Sequence, residues 1–307
     1  MVTRVVILGV FVADTAYRAA RAPQMGETIM GEGFALGPGG KGSNQAVASA
    51  RAGVETHFIT RLGRDTFAEM ALKTWADAGV TPAITQHEDG YTGAAYIFVE
   101  AGTGNNAIIV CPGVAGSISP ADVDARAELI SNAAVFVTQL EQPMDAAMHA
   151  LQIAREGGAT TILNPAPAAT LPDGMLALCD YVTPNETEAE ALTGIAVTSL
   201  EDATRAAVEL SRMGARAVVI TLGEKGALYH AGGQSVHVAA FDTGPVVETA
   251  GAGDAFNGGF AAALATGLDP VTAVRFGCAT ASISVTRSGT APSMPSLTEI
   301  NALLQRQ

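Results

Sequence analysis

Glu248-Thr249-Ala250-Gly251-Ala252-Gly253-Asp254-Ala255-Phe256-Asn257-Gly258-Gly259 runs from small residues into one carboxylate, then into an apolar segment of helical period through Phe256, Phe260, Ala263 and Leu264. This is the pattern of a loop feeding the N-terminus of a helix. Gly251 and Gly253 carry no Cβ, so the backbone can turn sharply and a ligand can approach it. The free N–H groups of such a first turn, with the helix dipole, form an anion site. Asp254 stands at the edge of that site. One reading makes it a general base for a hydroxyl that attacks a phosphoryl group. The other makes it a plain helix cap behind two glycines.

A second glycine stretch, Gly37-Pro38-Gly39-Gly40-Lys41-Gly42-Ser43-Asn44-Gln45-Ala46, turns into a helix expected over 43–52 and stopped by Gly53. It is not a P-loop, because Gly42 rather than Ser or Thr follows Lys41. It also lacks the G-x-G-x-x-G spacing of a dinucleotide fold. Around the two loops, short apolar strands expected over 5–12, 56–61, 134–140, 160–164, 181–184 and 217–222 alternate with helices over 66–78, 144–156 and 200–213. That rhythm predicts an α/β fold, a parallel sheet with helices on both faces. Ligands in such sheets bind beyond the carboxyl ends of the strands. Asp14, Glu141, Asn164, Asn185 and Gly223 are expected at or just after those ends.

Two segments break the rhythm. Residues 15–36 show no helical period. Residues 91–111 hold two extended runs, 94–99 and 107–110, joined by a glycine- and asparagine-bearing turn. They read as a small sheet over the cleft, or as ordinary surface hairpins.

The 307 residues carry a net charge of −13. Nucleic acid is therefore not an expected partner, since phosphate-backbone binding needs clustered cations. Nucleotide binding through local amides, a few cations and Mg²⁺ remains compatible with that charge. Cys111, Cys179 and Cys278 are far apart and read as reduced, partly buried thiols of a reducing compartment. No membrane-spanning stretch is evident, the opening apolar run is too short for a signal peptide, and a cytoplasmic location is expected.

Taken together, these stretches resemble the ribokinase branch of the PfkB carbohydrate kinase family. Gly39-Gly40-Lys41-Gly42-Ser43-Asn44 is similar to its N-terminal signature and residues 249–259 to its C-terminal one. In family order between and around them stand Leu8-Gly9 with Ala13-Asp14, Gln139-Leu140-Glu141, Asn164-Pro165-Ala166-Pro167-Ala168, Pro184-Asn185-Glu186-Thr187-Glu188, Thr221-Leu222-Gly223, and Val285-Thr286-Arg287 with Gly289. The resemblance covers about residues 5–295. It implies a three-layer α/β/α sandwich forming a single domain over 1–307. Segments 15–36 and 91–111 would then form a β lid that also carries a homodimer interface.

The resemblance also implies roles. Asp14, Gly39, Gly40, Lys41, Asn44 and Glu141 would bind the sugar, with Lys41 and Asn44 as donors. Asn185, Thr221, Gly223, Gly226 and Cys278 would bind ATP. Glu188 would reach Mg²⁺ through water, since octahedral Mg²⁺ keeps several waters. Gly251, Ala252 and Gly253 would form the anion hole, with Asp254 as base. Glu248, Ala250, Ser284, Arg287, Gly289 and Ser293 would surround a monovalent cation, K⁺ in type.

Two positions depart from the family pattern. Val12 stands where ribokinases commonly carry Asn, so one hydrogen-bonding partner for the sugar is missing. Glu248 stands where Asp is usual, one methylene longer beside the cation. The expected activity is ATP-dependent phosphorylation of a primary hydroxyl on a pentose or related sugar. A nucleoside kinase of the same fold and a non-catalytic sugar sensor are the alternatives.

Overall fold

The computed structural model describes residues 3–306. The strands are β1 (Val5–Leu8), β2 (Val12–Ala19), β3 (Gly33–Gly39), β4 (Thr56–Leu62), β5 (Val80–Gln86), β6 (Thr92–Glu100), β7 (Asn106–Gly113), β8 (Val135–Thr138), β9 (Thr160–Leu163), β10 (Tyr181–Val182), β11 (Ala217–Thr221), β12 (Ala227–Ala231) and β13 (Gln234–Val238). The helices are α1 (Lys41–Arg51), α2 (Thr66–Ala78), α3 (Pro120–Asp124), α4 (Ala127–Ser131), α5 (Met144–Glu156), α6 (Glu186–Thr193), α7 (Leu200–Arg212), α8 (Ala252–Ala265), α9 (Pro270–Ser284) and α10 (Leu297–Leu304).

Nine strands form one sheet in the order β13-β12-β11-β10-β9-β8-β1-β4-β5. It is parallel from β11 through β5, and β12 and β13 add an antiparallel edge. Side chains alternate across each strand, so each strand feeds two cores. Val5, Ile7, Phe58, Val135 and Val137 pack with α1, α2, α8 and α9 on one face. Val6, Leu8, Ile59, Phe136 and Val218 pack with α5 and α7 on the other. The helices facing the sheet are rich in alanine, which lets them lie close to it. Local signals set their ends: Asp65 caps α2 by accepting from the Ala68 N–H at 2.8 Å, and Gly79 closes it in the left-handed conformation.

The run expected as one strand over 5–12 is two. β1 ends at Leu8, and β2 starts at Val12 in a different sheet. Between them the chain passes under α1: the Cα of Gly9 stands 2.8 Å from the Cβ position that Gly42 lacks, and Ser43 N–H donates to Val10 O at 3.3 Å. The Val10 carbonyl therefore caps a helix instead of extending the ladder.

β3-β2-β6-β7 form the second sheet, the expected lid. Its strands begin earlier and end later than expected, at 12–19, 33–39, 92–100 and 106–113. Asp14 is thus inside a lid strand, not just past the end of a central one. Pairing partners share a face. Asp14 pairs with Gly37 and Ala95, so it shares its face with Val12, one pleat away. Tyr17, Phe34, Leu36, Tyr96 and Ile109 share the opposite face and are exposed. Cys111 is also exposed, not partly buried as expected, because it lies on the outer lid strand β7; Cys179 and Cys278 are buried.

Candidate active site

Two helices from opposite ends of the chain converge at the carboxyl ends of the central strands. α8 enters through Gly251 at φ 78°, a left-handed turn that suits glycine, and no side chain caps its first turn. The Ala252 N–H donates to Thr249 O at 3.2 Å, and the Gly253 and Asp254 N–H groups are left for a ligand. Gly258, two turns on, lets α1 approach closely: a Cβ there would stand 2.6 Å from Gln45 O and 2.9 Å from Ser49 N. That approach puts Asn44 and Gln45 against Asp254. Asn44 Nδ2 donates to Asp254 Oδ2 at 3.0 Å, and Gln45 Nε2 donates to Oδ1 at 3.1 Å.

Asp254 is only 7% exposed. Burial pushes its carboxyl above the usual range, while the Lys41 charge and the donors Asn44 and Gln45 pull it back. The result is a sequestered carboxylate with a donor on each oxygen and further lone pairs free, which is the equipment of a general base. The plain-cap reading does not hold, because Asp254 lies within α8 and the N-cap position belongs to Gly251.

Lys41 opens α1. Its backbone N–H donates to Glu141 Oε2 at 2.8 Å, so the helix N-terminus is capped by a carboxylate from the β8–α5 connection. Its ammonium is held charged by Asp254, Glu141 and Glu188 against the cost of burial. Burial pushes Glu141 up to about 7 despite the Lys41 charge. Burial likewise pushes Asp14 up to about 6, helped by repulsion from Asp254 and Glu248. Asp14 also explains Gly39, because its carboxylate fills the space a Cβ at Gly39 would take.

A cleft of 140 Å³ opens beside these groups, lined by Lys41, Asn164, Ala166, Thr183, Asn185, Glu188, Thr221, Gly251, Gly253, Asp254 and Asn257. Lys41 thus faces the same cleft as the α8 N-terminus, as well as the carboxylates around it. Asn185 and Glu188 form a reciprocal cap on α6: Glu188 N–H donates to Asn185 Oδ1 at 2.8 Å, and Asn185 N–H donates to Glu188 Oε2 at 2.9 Å. Each keeps one polar atom for the cleft. Among the described residues no three His, Cys, Asp or Glu side chains cluster to hold a metal ion directly. Glu188, the one carboxylate of the cleft besides Asp254, fits an ion held mostly by water and phosphate oxygens.

The other expected residues sit apart from this cleft. Gly226 faces the backbone of Val238–Ala240, where a Cβ would collide, so β-hairpin packing accounts for it. Cys278 is buried in the apolar core on α9. Gly223 opens the turn between β11 and β12. Gly289 N–H donates to Glu248 Oε2 at 2.8 Å, so the longer carboxylate reaches an amide of the segment with which it was expected to share a cation. Ser284 and Ser293 hydroxyls donate to Ala281 O and Thr290 O, and Arg287 pairs with Glu299 at 2.5 Å. Ala250 precedes Gly251 in the loop that leads into α8.

Sequence reading singled out no role for the amides beneath the base. Gln139 Nε2 donates to Gln45 Oε1 at 2.7 Å, and Gln45 Nε2 also donates to Asn164 Oδ1 at 3.0 Å. Asn164 Nδ2 donates to Thr183 O at 2.9 Å; the Thr183 hydroxyl donates to Asn257 Oδ1 at 2.6 Å, and Asn257 Nδ2 to Gly253 O at 2.8 Å. The available signal was polar residues inside apolar runs, as in Gln139 after a strand of Val and Phe.

Comparison with known proteins gives a consistent picture. Residues 2–297 match the family described as pfkB family carbohydrate kinase. The chain is 39% identical to the ribokinase of Staphylococcus aureus (strain COL) over 98% of this chain and 99% of that one. It is 36% identical to the deoxyribokinase of Salmonella typhimurium (strain LT2) over 98% of both. The structure of Arabidopsis thaliana ribokinase complexed with ribose and ATP superposes with a TM-score of 0.94, at 30% identity and 99% coverage of both chains.

Proposed function

Because the chain belongs to the pfkB family of carbohydrate kinases and is an ATP-dependent sugar kinase of the ribokinase type, we propose that its acceptor is a free pentose bound between the lid and the central sheet. The observation that carries this reading is the buried Asp254, held by donors from α1 beside the uncapped N-terminus of α8. Asp14, Gly39, Gly40, Asn44 and Glu141 line the sugar's side, where paired carboxylate oxygens suit adjacent hydroxyls. Lys41, Asn185, Thr221 and the Gly251–Ala252–Gly253 turn serve the phosphates, with the exposed turn at Gly223 farther along the nucleotide; Gly226 and Cys278 support that region from within the packing. Asp254 takes the proton of the primary hydroxyl. The hydroxyl oxygen bonds to the γ-phosphorus as the bond to the β–γ bridging oxygen breaks, leaving ADP and a sugar phosphate. Lys41 and the first-turn amides of α8 face the charge on the transferred group. Glu188 would hold Mg²⁺ through water, where the ion would neutralise phosphate charge. The single domain spans the chain with its inserted lid, and its ATP requirement fits the cytoplasm.

Val12 favours a second reading of the acceptor. It shares the Asp14 face of the lid and offers methyl groups where a side-chain hydrogen bond would otherwise form. A sugar lacking one hydroxyl fits that wall better, and relatives at 36% identity are deoxyribokinases. A site that hydrogen-bonds a hydroxyl discriminates far more strongly than an apolar one. In a kcat/KM panel of D-ribose, 2-deoxy-D-ribose, other pentoses and nucleosides, the deoxypentose should equal or exceed ribose. Val12→Asn should shift the ratio about tenfold toward ribose, on the order of one hydrogen bond. A nucleoside as best substrate would overturn the free-sugar reading. The panel run in K⁺, Na⁺ and a bulky organic cation also tests the monovalent site. Its oxygen-rich set, Glu248, Ser293 and the carbonyls of Ala250, Ser284, Arg287 and Gly289, suits K⁺. The Glu248–Gly289 bond already ties the two segments, so activation should be modest; equal rates in all three salts would remove the site.

The exposed apolar lid face is proposed as a homodimer interface. Tyr17 stands 5.2 Å from Phe34 and 5.4 Å from Tyr96, ring to ring, giving an aromatic patch flanked by Leu36 and Ile109. Tyr17→Asp with Ile109→Asp should convert a dimer to a monomer by sedimentation velocity. A wild-type chain that sediments as a monomer at micromolar concentration would exclude this interface.

A further inference from the structure

We propose that Gln45 is a positioning residue for the base: its carboxamide locks the orientation of Asp254 from below while leaving the sugar-facing lone pairs free. This rests on the reading of Asp254 as the base. The sense of every amide in the chain beneath Asp254 follows from one fixed point. Thr183 O is a backbone carbonyl and only accepts, so Asn164 must turn its Nδ2 toward it, as it does at 2.9 Å. Asn164 Oδ1 then faces Gln45 and requires a donor there, which is Nε2 at 3.0 Å. The same Nε2 has its second hydrogen for Asp254 Oδ1 at 3.1 Å. Gln45 Oε1 is left to accept, and Gln139 Nε2 supplies it at 2.7 Å. Gln45 and Gln139 are fully buried, so no water competes. An amide that could flip would set an oxygen against the Asp254 carboxylate; this one is held by both its atoms.

Asn44 holds the other oxygen, at 3.0 Å. Gln45 is fully buried and does not line the nucleotide cleft, so its effect should be confined to turnover. Two donors also favour the charged base against burial. The charged groups facing Asp254 from the surrounding elements are Lys41 on α1, Glu188 on α6, Glu141 after β8 and Asp14 on β2. None of them is altered by a change at Gln45.

Gln45→Met keeps the length and volume of the side chain and removes both polar atoms. It should lower kcat about 10- to 100-fold with KM for ATP and sugar within threefold, and move the acid limb of the kcat profile to higher pH. Gln139→Met, which frees Gln45 to turn, should give a smaller loss of the same kind. Thermal unfolding and ATP binding by calorimetry check that each variant is folded. Wild-type kcat and an unmoved acid limb in Gln45→Met overturn the proposal. A kcat loss that tracks a fall in Tm with the acid limb unmoved also overturns it, because that marks packing alone. Asp254→Asn is measured alongside: if that variant stays active, the base assignment itself fails, whereas an inactive Asp254→Asn with a normal Gln45→Met removes only the role of Gln45.

Discussion

Asp254→Asn lowers kcat by about 10²- to 10⁴-fold and leaves ATP affinity within a few-fold, because general-base catalysis contributes about that much. The substitution is close to isosteric. Its cost falls on chemistry because an amide cannot accept the hydroxyl proton. It also has an internal consequence. Asn44 and Gln45 both present N–H groups to Asp254, so the amide nitrogen of an asparagine meets a donor on one side whichever way it turns. Some loss of stability is therefore expected beside the larger loss of turnover, and thermal unfolding in the presence of Mg·ATP separates the two. Near wild-type turnover with the best acceptor sinks the assignment of Asp254 as base.

Lys41→Met is expected to cost about 10²- to 10³-fold in kcat, the scale of removing one preorganised group that faces transferred charge. The sequence suggested a donor to the sugar. The geometry adds a second task, since Lys41 lines the cleft with Gly251, Gly253, Asn185 and Glu188. Its ammonium also sits among Asp254, Glu141 and Glu188. Without that charge, burial and mutual repulsion push the carboxylates further up, and the base is neutralised at pH values where it now works. The acid limb of the Lys41→Met profile should therefore move to higher pH, and alkaline buffer should recover part of the loss. A change confined to the KM of the sugar would restrict Lys41 to sugar binding.

The fold was legible because its strands alternate with amphipathic helices and because glycine, Asp and Ser mark their ends. α2 and α5 fall at their expected bounds. β5, β12 and β13 were not read. β5 and β13 are the sheet's edges, carrying Pro, His and Gln in partly exposed positions where periodicity is weak, and β12, beside β13, is a short run of five residues interrupted by a buried His230. The lid's length was underestimated because β2 continues an apolar run that looks uniform through Gly9. In the site, Asp254, Lys41 and the carboxylates were visible as rare charges in glycine-rich surroundings. Asn164 was visible only as a strand-end residue, and Gln45 and Asn257 were not, because a neutral amide carries no signal until its partners are known, and Asn164 lies 119 residues from Gln45. Glu248 shows the same limit: its extra methylene was visible, but its bond to Gly289 depended on a turn 41 residues away.

The contact between Asn44 and Asp254 spans 210 positions, and this bears on how the chain is made. A ribosome releases β1, α1, β4 and the lid strands well before α8. Until then α1 has no helix to receive its close-packed face, and Asn44 and Gln45 have no carboxylate to hold. Contacts of such sequence separation are slow to form, because the intervening chain must be ordered first. The sheet can be assembled strand by strand, yet competence for phosphoryl transfer arrives in one late docking event, after about four-fifths of the polypeptide exists. Chains that stall or are cut before residue 252 would present an unpartnered face of α1, with Asn44, Gln45, Ala48 and Ser49 uncovered, a surface that chaperones and proteases distinguish from the finished enzyme.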